Sequence, residues 1–366
     1  MKSFALLLTA AVGACATSPT AWNTTPAILD ADFHPINRGW GAPVWQDEFN
    51  GTSLDTTKWV AARFCGGYNH ESQCYTTRRD NLYVGGGALR INAEKAHEQE
   101  EMCDGDHISV APNEVGTVNC PPSNPSQPDY FYSSGRIHTR VTGSGGPHAW
   151  RYGRIEIRAA LPYGPGTWTA FWMLPVAPAD PWPQSGEIDL MEAVNLNIFF
   201  PNGFDPADYV QSNIHLCSDD PAYPVDQHAS TTAQGLCQAW GSNFNKVHNS
   251  MALQLGPYPG VVQNLILAYH TYAMEWSDVD MRFFVDDQFV GQVSHGADSL
   301  NNAPFRQNFY LIINLAVGGD MPGPPIPTAW EWPARLGVDW VRVYACGGDP
   351  TARNCIYQGQ GLGKAP

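Results

Sequence analysis

The segment Ser185-Gly186-Glu187-Ile188-Asp189-Leu190-Met191-Glu192 places three carboxylates within one short stretch. On a regular β-strand, side chains alternate between faces, so Glu187 and Asp189 point the same way. Unbroken alternation would turn Glu192 to the opposite face, into a core, where an unpaired carboxylate is costly. A β-bulge near Met191 removes the conflict, because one extra residue returns Glu192 to the side of the other two. Three carboxylates on one face repel one another and raise at least one pKa. Paired carboxyls of unlike pKa are what an acid/base catalyst requires. The plain alternative is a surface strand that happens to be acidic, so the flanking residues must decide.

Strands must carry this row, and the sequence supplies them. Arg154-Ile155-Glu156-Ile157-Arg158-Ala159 alternates polar and apolar residues, as a half-buried strand does. Arg282 to Val285 and Gln288 to Val290 flank Asp286-Asp287, which predicts a hairpin. Phe309 to Val317 is almost continuously apolar and reads as a buried strand. Trp168, Ala170, Trp172 and Leu174 fall on one face of another strand. Segments of this kind recur with Gly, Pro and Asn between them, which points to an all-β sandwich. The 35 Gly, 30 Pro, 13 Trp and 15 Tyr among 366 residues fit short strands, many turns and aromatic platforms.

The formal net charge is −15. Nothing could neutralise a run of phosphates, so nucleic acid is excluded as a partner. Strongly anionic substrates are disfavoured by repulsion, and a neutral polymer fits. No protein partner is implied. Met1-Lys2 followed by the apolar run Phe4 to Ala14 reads as a secretory signal, too short to span a bilayer. Val12-Gly13-Ala14-Cys15 resembles a lipobox, in which Cys15 would carry a lipid anchor; a plain signal cut after Ala14 or Ala16 is the alternative. The expected location is extracellular, secreted or as an outer-surface lipoprotein. Residues 1–15 are thus read as signal, 16–38 as a tether, 39–346 as the sandwich domain and 347–366 as a tail. Without Cys15, eight cysteines remain, an even set that suggests disulfides in a secreted chain. Sequential pairing (65–74, 103–120, 217–237, 346–355) closes short loops. A zinc site is the alternative, though no CxxC spacing is present.

The flanks of the carboxylate strand resemble the family 16 glycoside hydrolases, in particular their laminarinase-like branch. Trp182-Pro183-Gln184-Ser185-Gly186-Glu187-Ile188-Asp189-Leu190-Met191-Glu192 is similar to that family's active-site strand. Val44-Trp45-Gln46-Asp47-Glu48-Phe49-Asn50-Gly51 resembles its opening strand, and Asn69-His70-Glu71-Ser72-Gln73 its asparagine-containing loop. Further matches follow in order: Ser134-Gly135-Arg136-Ile137, Tyr152 to Glu156, Gly166 to Pro175, Tyr272 to Trp276 and Asn314 to Gly319.

The resemblance implies a concanavalin-like jelly-roll sandwich of two antiparallel sheets with a concave substrate cleft. It also implies a retaining endo-glycosidase acting on β-1,3-glucan or mixed β-1,3/1,4-glucan, with Glu187 as nucleophile, Glu192 as acid/base and Asp189 tuning both. Retention needs the two carboxyls about 5–5.5 Å apart. The bulged spacing matches the laminarinase, agarase and carrageenase branches, and the acidic charge argues against sulfated carrageenan. Other readings are a transglycosylase, an agarase, or a non-catalytic β-glucan-binding protein on the same fold. Asn69, Arg136, Trp168, Trp172, His215 and Asn314 would bind substrate; the bland alternative is that the tryptophans are core and His215 structural. Many relatives have Pro where this chain has Thr169. No cofactor is required. A structural calcium on the convex face would use Glu48, Asp339 and a carbonyl near Gly87; the alternative is that Glu48 pairs with a basic neighbour.

Overall fold

A computed structural model describes residues 40–65, 69–95, 132–141, 148–162, 164–176, 178, 180, 182–196, 210–218, 247–250, 253–255, 268–277, 280–294, 304–323 and 332–345. In chain order the strands are β1 (Trp45–Asp47), β2 (Trp59–Ala61), β3 (Phe64–Cys65), β4 (Gln73–Tyr75), β5 (Leu82–Val84), β6 (Leu89–Lys95) and β7 (Tyr132–Ser134). Next come β8 (Arg136–Thr139), β9 (Gly153–Ala160), β10 (Thr167–Pro175), β11 (Glu187–Val194), β12 (Val210–Ser218), β13 (Val247–Ser250) and β14 (Leu253–Leu255). The last are β15 (His270–Trp276), β16 (Asp280–Val285), β17 (Gln288–Ser294), β18 (Phe309–Val317) and β19 (Ala334–Tyr344).

These strands form two sheets. The eight-stranded one runs β13-β12-β11-β10-β18-β8-β2, with β14 beside β12. The eleven-stranded one runs β17-β16-β15-β9-β19-β6-β7-β4-β3, with β1 on β19 and β5 on β6. Between them lies one apolar core, to which Phe171, Met173, Ile188, Met191, Ile313 and Leu315 contribute from the smaller sheet. The larger sheet contributes Ile155, Ile157, Tyr272, Met274, Val341 and Val343. Alternation along each strand produces this division, since the residues between these positions face outward.

Two expectations need amendment. The sheets are not wholly antiparallel, because β4 and β7 pair in parallel, Cys74 beside Ser133. Parallel neighbours cannot be joined by a tight turn, and β5 and β6 lie between these two strands in the chain. The alternating strand Arg154–Ala159 is also not half-exposed; every residue of β9 is buried. Its outward charges are compensated by neighbours. Arg154 binds Glu156 and Glu275, at 2.7 and 3.0 Å, and also Asp287. Trp40 closes the patch, its indole N–H donating to Glu275.

The hairpin between β16 and β17 is present. Asp286 and Asp287 have φ of 48° and 62°, the two left-handed residues of a type I′ turn. The Asp carboxylates also brace neighbouring chain: Asp286 accepts from the Thr271 amide and meets His270. Phe309–Val317 is buried along its whole length as β18. Cys65 and Cys74 form a disulfide across the β3–β4 pair. Cys217 is also disulfide-bonded, and its partner lies outside the described residues. So do Cys103, Cys120, Cys237, Cys346 and Cys355, the signal and tether, and the tail.

Candidate active site

The site is a set of rows running across the outward face of the smaller sheet. Its centre is the bulge in β11. Against β10, Asp189 faces Trp172 and Met191 faces Phe171, so Leu190 has no partner of its own. Against β12, Asp189 faces Asn213 and Glu192 faces Gln211, so Leu190 and Met191 together span Ser212. The extra residue restores Glu192 to the face of Glu187 and Asp189, while Ile188 and Met191 stay in the core.

Register then aligns the neighbours. One row reads Arg136, Asn314, Ala170, Glu192, Gln211 across β8, β18, β10, β11 and β12. The next reads His138, Ile312, Trp172, Asp189, Asn213. His215 lies opposite Glu187. A row of this kind binds the residues into one geometry, because every side chain is fixed by ladder hydrogen bonds on both sides.

Hydrogen bonds set the roles of the oxygens. Glu192 accepts from Trp168 Nε1 on one oxygen and from Gln211 Nε2 on the other, both at 3.0 Å. Glu187 accepts from the indole N–H of Trp182. His215 Nε2 stands 3.1 Å from Asp189 Oδ2, and Asn213 Nδ2 lies 3.1 Å from the same ring nitrogen. That Asp189 oxygen has no hydrogen bond of proper geometry, although it is buried. The contact with His215 is therefore an ion pair when the ring is protonated, and not a directed bond. Trp172 donates to Asn314 at 2.7 Å, Asn314 donates to the Tyr75 hydroxyl at 3.1 Å, and Arg136 stacks over the Trp172 ring at 4.9 Å.

All three carboxyls titrate above their ordinary range. Burial is the largest cause for each. For Glu187 the negative charge of Asp189 adds to it and His215 opposes it. For Asp189 the charge of Glu192 adds. For Glu192 the donors Gln211 and Trp168, together with His215, work in the opposite direction. A fourth carboxyl, Glu71, is raised by burial and opposed by Gln73, Arg136 and Tyr75.

The structure brings Arg136, Trp168, Trp172, His215 and Asn314 to the carboxylate row. Asn69 is exposed on the rim, where its side chain bonds Glu71 and its carbonyl accepts from the Asp320 amide at 2.9 Å. Two members were missed in the sequence. Trp182 stood in the quoted motif only as a flank, and Gln211 carried no signal in one chain. Trp182 is 37% exposed, an open indole beside Glu187 and 5.9 Å from the His215 ring, well placed to stack on a sugar.

Glu187, Asp189 and His215 each bring one ligand atom within 4.8 Å of the others, so the trio could hold a cation. The two carboxylates read as calcium ligands do not fit that ion. Both oxygens of Glu48 accept from Arg342, each at 2.8 Å, and Asp339 pairs with Arg158. A guanidinium already supplies the positive charge at each carboxylate.

A two-sheet sandwich with a carboxylate row set by a bulge on its outer face defines a glycoside hydrolase of the jelly-roll class. Comparison with known proteins makes the assignment particular. The family model described as "XgeA-like, catalytic GH16 domain" matches residues 150–202. The chain is 34% identical over 314 residues to a Beta-glucanase of Rhodothermus marinus, covering 82% of this chain and 84% of that protein. It is 33% identical over 322 residues to Glucan endo-1,3-beta-glucosidase A1 of Niallia circulans, covering 82% of this chain and 37% of that longer protein. The solved laminarinase from Rhodothermus marinus aligns with a TM-score of 0.54 at 32% identity, over 83% of this chain and 96% of that one. The chain belongs to glycoside hydrolase family 16.

Proposed function

We propose that this chain is an endo-acting hydrolase of β-1,3-linked glucan that works by double displacement with retention. The observation that carries this reading is the β11 bulge, which presents Glu187 and Glu192 on one face, opposite His215 and Gln211 of β12, with the Asp189 row between them. Relatives named as β-glucanase and glucan endo-1,3-β-glucosidase support the linkage. In the first step the Glu187 carboxylate attacks the anomeric carbon while the Glu192 carboxyl gives its proton to the departing oxygen. In the second, the Glu192 carboxylate takes a proton from water, which displaces the sugar from Glu187. Asp189 serves by holding a proton: when the proton between Asp189 and Glu187 rests on Asp189, Glu187 is the free nucleophile. Trp168, Trp172 and Trp182 supply flat faces for pyranose rings, and Arg136, Asn314 and Asn69 supply donors. The reaction itself draws on these side chains alone; a calcium ion, if bound elsewhere, would be structural. Localisation is read from the N-terminus as extracellular, with Cys15 as the point of lipid attachment if the lipobox is used.

The test is stereochemical. Glu187→Ala should abolish cleavage of laminarin, and azide should restore turnover with a glycosyl azide of inverted anomeric configuration. Glu192→Ala should still glycosylate from substrates whose leaving group needs no proton, and azide should then give the retained anomer. The same anomer from both variants would overturn the assignment.

A further inference from the structure

We propose that Gln211 is a positioning residue for Glu192, a side-chain amide that serves the carboxyl in both of its protonation states and is held in place by Met321. This rests on the reading of Glu192 as acid/base.

The argument begins with what Glu192 must do. It is an acid in the first step and a base in the second, so its partners must tolerate both a carboxylate and a carboxylic acid. Trp168 Nε1 is a donor only. It serves the carboxylate at 3.0 Å and can do nothing for an O–H. Gln211 is different, because its amide carries donors and an acceptor. As placed, Nε2 donates to Glu192 Oε2 at 3.0 Å. A half-turn of the amide brings its carbonyl to the same oxygen, where it accepts from the protonated carboxyl. Register supplies the reach, since Gln211 stands directly opposite Glu192 on β12.

Met321 biases that turn. Its sulfur lies 3.3 Å from Gln211 Nε2. A thioether is a weak acceptor and never a donor, so it favours the orientation that turns Nε2 inward and the carboxylate form of Glu192. Met321 sits in the rim loop after β18 and is 38% exposed.

Among the described residues, the charged and titratable groups around Glu192 are few. On its own strand they are Glu187 and Asp189, and on β12 His215. β10 carries none, and β18 carries Tyr310 alone. On the rim Asp320 is paired with His70, and Glu71 lies in the adjoining loop. Gln211 is the first of the groups that lower the Glu192 pKa against its burial.

The experiment compares pH profiles of kcat/KM on laminarin and single-turnover kinetics on an activated aryl glucoside. Gln211→Met keeps the shape, removes the donor and leaves only the weak acceptor of a thioether. The basic limb, set by the acid form of Glu192, should move up by about one pH unit, the size expected for one hydrogen bond to a charged group. The base step should slow, so that glycosyl-enzyme accumulates in a burst. Met321→Leu should shift the limb in the same direction by less, and Gln211→Glu should move it further upward, because a second negative charge opposes ionisation. A Gln211→Met profile that overlays the parent, with only KM changed, would overturn the proposal and leave Gln211 as a sugar contact. Glu192→Ala separates the two readings: with the activated substrate its basic limb should vanish. If that limb persists in Glu192→Ala, the acid/base assignment fails, whatever Gln211 does.

Discussion

A carboxyl that titrates above its ordinary range stabilises the fold only while it is protonated. For Glu187 burial and the charge of Asp189 both raise the pKa, so the folded protein binds this proton more tightly than the unfolded chain does. By linkage, the contribution is fully present below the unfolded-state pKa and is lost as pH rises through the folded one. Above the unfolded-state pKa the native enzyme therefore either holds a proton that the unfolded chain has released or carries a charge that its surroundings resist. Glu187→Gln is neutral at every pH and removes that burden. Its melting temperature should exceed the parent's at pH 7–8, and the gap should close as the pH falls below the ordinary carboxylate range of about 4. Melts across this range check it. A gap independent of pH would mean that packing, and not the charge, separates the two proteins. With Glu187 as the proposed nucleophile, the variant should also lose all activity, because the amide cannot attack a sugar.

The elements that hold Glu187 are a turn, a bulge and a paired strand. The turn Trp182–Ser185 ends at Gly186, whose φ is +87°. A Cβ there would fall 2.8 Å from Pro304 Cβ and 3.2 Å from Phe305 Cε1. Gly186→Ala thus meets both a strained backbone and a clash with the short 3-10 turn Pro304–Arg306. It should cost about 1–3 kcal/mol and displace the adjoining Glu187, the proposed nucleophile, lowering kcat at least tenfold. Gly87→Ala is the control: φ is +72° and nothing lies within 4 Å of its Cβ. It should cost less stability and leave kcat unchanged. Equal losses of activity in both would refute the idea that the Pro304 contact positions Glu187. The bulge was legible in the sequence because strict alternation would have buried Glu192 in the core, a contradiction visible in eight residues. The strand partners were not. Gln211 faces Glu192 only through the β11–β12 register, which one chain does not reveal. Trp182 folds back on Glu187 through the turn, which is likewise not a property of strand alternation. Alternation sets Arg154, Glu156 and Arg158 on one side of their strand but does not say what covers it; Trp40, Glu275 and Asp287 come from distant segments.

At the scale of the whole molecule, the formal charge is −15, while the carboxyls of the site itself are drawn up in pKa by burial. A neutral glucan feels little of this field. An anionic polymer of the same linkage must approach against it, and salt screens the repulsion, since the Debye length falls from about 30 Å at 0.01 M to about 3 Å at 1 M. The expected outcome is a kcat/KM on laminarin that changes by less than about twofold across that range, as the steering term vanishes for an uncharged partner. On a carboxymethylated or sulfated β-1,3-glucan, kcat/KM should be low at 0.01 M and rise by about tenfold or more with salt. Comparing kcat with kcat/KM isolates the encounter from the chemistry, because screening acts on approach and leaves the buried row unchanged. Inside the cleft, Arg136 is stacked on Trp172 and close enough to Glu71 to lower its pKa. Arg136→Gln should therefore steepen the salt dependence for the anionic polymer and leave the neutral one flat. A strong salt dependence on neutral laminarin would contradict this account and point to a charge essential for folding or for binding sugar at low ionic strength.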